Sequence, residues 1–111
     1  MSVILLPECK TVGDMLMELG IPVHRIGFWH LCVAIPEYAR NPVQGITKEL
    51  YPYTARQFAY PDGRNIEHTI RNAILVAWTN RDAEIWNRYF PGYSRVPTNK
   101  QFISTLAGRL Q

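Results

Sequence analysis

Between Arg64 and Trp78 the apolar residues fall at Ile66, Ile70, Ala73, Ile74, Ala77 and Trp78. Spacings of three and four place them on one stripe of a helix that turns by about 100° per residue. The same periodicity recurs along the chain. Val12, Met15, Leu16 and Leu19 predict a helix over 11–20, with Thr11 able to cap its start and Gly20 its end. Ile26, Trp29, His30, Val33 and Tyr38 predict a second helix, which Pro36 should kink or end. Ile46, Leu50, Tyr53, Thr54 and Phe58 predict a third, with a distortion or restart near Pro52. A short helix in "AEIWNRYF" follows the 64–78 segment. A last one starts at Thr98 or Asn99 and turns Phe102, Ile103, Leu106 and Leu110 inward. No segment alternates with period two over strand-forming residues. The pattern therefore predicts an all-α fold of about six helices. "AYPDG" separates the third and fourth with turn chemistry, which is helix-turn-helix order.

A chain of 111 residues, 47% hydrophobic and 19% charged, fits one globular domain, expected over 11–111 behind an N-terminal stub at 1–10. No apolar run approaches the ~18 residues of a membrane span. The N-terminus lacks the basic region and cleavage site of a signal peptide, so a cytoplasmic protein is expected, without membrane association. Cys9 and Cys32 read as one free thiol and one small buried hydrophobe. His24, His30 and His68 are scattered, so neither a metal site nor a cofactor is expected. Asp14, Glu18, Asp82 and Glu84 have no His or Ser partner at suggestive spacing, and no Gly-rich phosphate loop exists. An enzyme is not expected. Trp29, Trp78 and Trp86 read as core anchors.

The wet face of the 64–78 helix is less ordinary. Arg64, Asn65, His68, Arg71 and Asn72 lie at roughly 140° to 260° from the dry stripe and crowd the N-terminal half. A solvated helix surface is the plain explanation. Against it, Arg forks onto guanine and Asn pairs with adenine, and a recognition helix offers this half to base edges. Glu67 stands four residues before Arg71, which suits either an ion pair or the fixing of that Arg for DNA. Thr47 and Lys48, at the start of the preceding helix, can meet a phosphate, as can Lys100 or Arg81. Charge agrees in sign: residues 1–37 carry a net −2 and residues 38–111 a net +5, which suits a polyanion such as double-stranded DNA.

Four ordered motifs sharpen this reading: "LGIPVH" at 19–24, "GITKELYPYTARQF", "IEHTIRNAILVAW" and "PTNKQFI". Over residues 11–110 the chain resembles the C-terminal DNA-binding effector domain of the sporulation-initiation response regulator of endospore-forming bacteria. The corresponding family stretches read "LGIPxH", "ITKxLYPxIAxxF", "ERAIRHAIExAW" and "KPTNSEFI". The resemblance implies a six-helix relative of winged-helix effector domains, with a central helix-turn-helix reading the major groove. It also implies homodimers on tandem sites and contact with RNA polymerase through the region after the recognition helix. Glu67, Ile70, Arg71, Ala73, Ile74, Ala77 and Trp78 match the pattern. Asn65 and His68 stand where it has Arg, and Asn72 where it has His. Arg64 is expected to reach from the turn in partial compensation. DNA binding of altered specificity follows; the competing expectation is a helical protein-interaction module that kept the fold and lost sequence readout. The family's phosphoacceptor receiver domain has no counterpart in so short a stub, so a free-standing regulator is expected.

Overall fold

The computed structural model describes residues 7–110, with side chains from Thr11 onward. Most of the expected stub, residues 1–6, and Gln111 lie outside the described residues. Among those described there are six α-helices and no strand: α1 Pro7–Glu18, α2 Ile26–Arg40, α3 Tyr51–Gln57, α4 Arg64–Thr79, α5 Ala83–Tyr89 and α6 Asn99–Gly108, with a π-helical turn, Ile46–Leu50, leading into α3. The all-α expectation holds. Among the described residues no helix is long and apolar enough to cross a membrane.

α1 begins four residues earlier than its apolar stripe suggests, so Thr11 lies inside it rather than at its cap. Its end is as expected. Gly20, at φ 87°, sits in the left-handed region that costs glycine nothing. Around it the Gly20 N–H reaches the Met17 carbonyl and the Ile21 N–H reaches that of Leu16, the paired bonds that close a helix on a left-handed residue.

α2 is the hub, packed on α1, α3, α4 and α6. Nine of its fifteen residues are buried, which explains why Pro36 neither ends nor shortens it: a helix enclosed on most sides is held by packing where the ladder loses a donor. The stripe read from Ile26, Trp29, His30 and Val33 is not its main core face. Ile26 is 45% exposed, whereas Phe28, Leu31, Ala34 and Ile35 are buried.

The distortion expected near Pro52 is real and lies just before it. Leu50 N–H bonds back five residues to the Gly45 carbonyl, and Tyr51 N–H likewise reaches Ile46. The wider π turn lets Pro52 fall in the first turn of α3, where its missing N–H is harmless.

At the other end of the chain, Trp86 donates from Nε1 to the Leu19 carbonyl at 2.9 Å, tying α5 to the end of α1, and stacks with Phe90. Phe90 stacks in turn on Phe102 of α6. α6 opens with a capping box: Thr98 accepts the Gln101 N–H, and the Gln101 side chain accepts the Thr98 N–H.

Candidate nucleic-acid interface

α3, a six-residue turn and α4 form the helix-turn-helix. α3 closes as α1 does, with the Tyr60 N–H on the Ala55 carbonyl and the Ala59 N–H on that of Arg56. Here the left-handed residue is Ala59, at φ 59°. An L side chain is strained there by ~1–2 kcal/mol. Ala59→Gly is therefore expected to stabilise the domain by about 1 kcal/mol, seen as a higher thermal midpoint; an unchanged or lower midpoint would refute strain at this position.

The turn then lies against the start of α3. A Cβ on Gly63 would stand 2.9 Å from the Tyr51 carbonyl carbon and 3.0 Å from Pro52 N, so glycine is needed for the approach. Asp62 supplies the acceptor for the first free N–H of α4: its Oδ1 takes the Arg64 N–H at 3.0 Å.

α4 lays Ile66, Ile70, Ala73, Ile74 and Ala77 into the core with Trp78 at the margin, as its periodicity predicts. The side chains of Asn65, His68 and Asn72 point out to solvent and make no hydrogen bond within the described residues. Lys48 is exposed on the π turn.

A groove of about 520 Å³ runs between the π turn, the first half of α4 and the start of α6. It brings Thr47, Glu67, His68 and Arg71 together with Thr98, Asn99 and Lys100. A second groove, about 330 Å³, adjoins it towards Gly63 and Arg64. Neither is lined by Asn65, Asn72 or Lys48, which stand on the surface outside them.

Two sequence expectations change here. The Glu67–Arg71 ion pair is absent among the described residues. Arg71 instead donates from Nη1 to the Pro97 carbonyl at 2.7 Å, because the loop before α6 comes within reach. One donor is thereby engaged, and the rest of the fork remains for an acceptor in the groove. Arg64 does not reach along the helix. Its Nε and Nη2 both hold Asp62 Oδ2, at 3.1 and 2.9 Å, back in the turn. Those bonds hold the Asp62 carboxyl below its ordinary range.

Asn99 went unrecognised as a site residue. Its Nδ2 donates to Tyr51 Oη and to the Glu67 carbonyl, both at 3.1 Å, which pins the start of α6 to α3 and α4. Its Oδ1 is buried without a partner among the described residues. Burial pushes the Tyr51 phenol up, so it stays a neutral wall of the groove. Asn99 lies thirty-two residues from Glu67, so nothing local in the sequence announces the contact. A polar residue right after a capping threonine was the one available hint.

Residues 12–110 match the family model described as Sporulation initiation factor Spo0A C terminal. The chain belongs to that family. The match spans nearly all the described residues, and it makes the chain a DNA-binding effector domain of the transcription-regulating, sporulation-initiation type. The groove and the outward half of α4 lie within the matched residues.

Proposed function

We propose that this chain is a transcription regulator that lays α4 in the major groove of double-stranded DNA, with a sequence preference altered from the family pattern. The supporting observation is the arrangement of the polar half of α4. Asn65, Glu67, His68 and Asn72 are exposed and Arg71 is half-buried, beside a groove rimmed by the π turn and the capped start of α6. Arg71 reads a guanine edge, and Asn65 and Asn72 suit adenine. Glu67 can accept from a cytosine amino group. His68 and Arg64 flank the contact, while Thr47, Lys48 and Lys100 hold phosphates that position without reading. Altered preference follows from amide and imidazole groups at Asn65, His68 and Asn72 where the family pattern has Arg, Arg and His. Arg64 would have to leave its exposed pair with Asp62 to stand in for a lost Arg. Homodimers on tandem sites and contact with RNA polymerase through the region after α4 extend the proposal on family grounds alone.

Mobility-shift titrations on a duplex selected from a random pool test it. Arg71→Ala is expected to lose about 1–3 kcal/mol and relax one base position. Arg71→Lys keeps the charge and loses the fork, so it should retain generic binding with poorer discrimination. Lys48→Ala should weaken all sequences alike and flatten the log–log salt slope by about 1. Unchanged binding in all three variants would remove α4 and the π turn from the interface. Binding that prefers no sequence would favour the interaction-module alternative.

A further inference from the structure

We infer that His30 of α2 is a positioning residue that locks the recognition helix to the turn before it, so that sequence discrimination by α4 depends on a side chain that never meets DNA. This rests on the DNA-binding reading above. His30 is 1% exposed and stands at the junction of three elements. Its Nδ1 lies 2.6 Å from Thr69 Oγ1 on α4, and its Nε2 lies 3.1 Å from Tyr60 Oη in the turn. Thr69 in turn donates to the Ile66 carbonyl at 3.1 Å. With that proton committed, Thr69 accepts from Nδ1–H, and Nε2 is left to accept from the Tyr60 hydroxyl. The chain of donors then runs one way, from Tyr60 through His30 and Thr69 to the backbone of α4.

Packing alone does not call for an imidazole here. Phe58 and Tyr60 already stand edge-on to the ring, and an apolar ring would fill the same space. A neutral imidazole adds a donor and an acceptor on opposite sides, which fixes the direction of both partners. The turn needs such an anchor, since Ala59 holds a strained backbone just before Tyr60. Strain of this kind persists only where the surroundings over-determine the conformation. On α4, Thr69 stands beside His68 and one turn from Asn65 and Asn72. A shift at Thr69 therefore displaces the reading side chains, and bidentate contacts tolerate only ~0.5 Å of displacement.

The test compares the full chain with His30→Phe and with Tyr60→Phe, which removes a single hydroxyl and is the milder change. Two duplexes of equal length are titrated: one selected by the wild-type protein from a random pool, and one unrelated. Each variant is expected to bind the selected duplex about tenfold more weakly, the size of one lost hydrogen bond, and the unrelated duplex unchanged. The double variant should be no worse than the poorer single one. In the free proteins, amide exchange over residues 65–71 should quicken while α6 stays as it was. Equal loss on both duplexes, no loss on either, or exchange rising alike in α4 and α6 would overturn the inference. If the wild type selects no duplex, the DNA-binding reading falls by itself. Exchange then decides: a rise confined to 65–71 supports positioning, and a uniform rise or none refutes it.

Discussion

Gly27→Ala is expected to lower stability by about 3 kcal/mol, the upper end for one methyl forced into a packed contact. α2 passes α4 at this residue. A Cβ there would stand 2.3 Å from the Thr69 carbonyl oxygen and 2.9 Å from the Ala73 Cβ. Neither neighbour is the loose end of a side chain, so relief requires the helices to part by about an ångström. Parting them opens space beside Ile66, Ile70 and Ala73, all fully buried. It also stretches the 2.6 Å link from His30 to Thr69. Gly13→Ala is the matched control. Its Cβ would meet only the Phe28 ring at 3.8 Å and the Cys32 Sγ at 4.0 Å, which is ordinary contact. Inside α1 it should gain about 0.5–1 kcal/mol from helix propensity. Urea unfolding of the two variants beside the wild type should move the midpoints in opposite directions. A Gly27→Ala protein as stable as the wild type would mean that this crossing does not set the α2–α4 distance.

How far the sequence could be read follows from which contacts are local. α4 was legible to within a residue or two because its stripe is regular and one-sided, and a half-exposed helix writes its orientation in its composition. α2 was harder. It is buried on most sides, so its periodicity says little about which face matters, and Pro36 loses its usual meaning. Pro52 gave the right warning because the chain must widen to admit it, but nothing in the sequence specified a π turn.

The reading face divides in the same way. That Asn65, His68, Arg71 and Asn72 point outward follows from helix geometry alone. That Arg71 bonds Pro97 rather than Glu67, and that Asn99 fastens α6 to α4, depends on the path of the loop before α6, which no spacing encodes. Arg64 shows the limit most sharply. Its charge is plain in the sequence, yet in the free protein it pairs with Asp62 two residues earlier.

His30 is expected to make the domain acid-sensitive well above the range of its carboxylates. Burial pushes its imidazole down from 6.5 to about 4. Between those values the unfolded chain takes up a proton that the folded chain refuses. Stability is therefore complete above pH 6.5, falls as the pH drops towards 4, and stops falling on this account once both states are protonated. Two and a half pH units correspond to about 3 kcal/mol. The groups facing His30 do not oppose this sign: Tyr60 and Thr69 are neutral hydroxyls, and Phe58 is apolar. A protonated imidazole also cannot accept from Tyr60, so that bond must reverse, with Nε2–H donating to the phenol oxygen.

The measurement is urea unfolding at pH 7 and pH 4.5 for the wild type and for His30→Phe. Every other titrating group is common to both proteins, so the difference between the two slopes isolates His30. The wild type should lose about 2–3 kcal/mol more than the variant across that interval. Parallel pH dependence in the two proteins would mean that His30 is not held neutral in the folded state. The Tyr60 bond would then run the other way, from Nε2–H to the phenol oxygen, while Nδ1–H would still donate to Thr69 on α4.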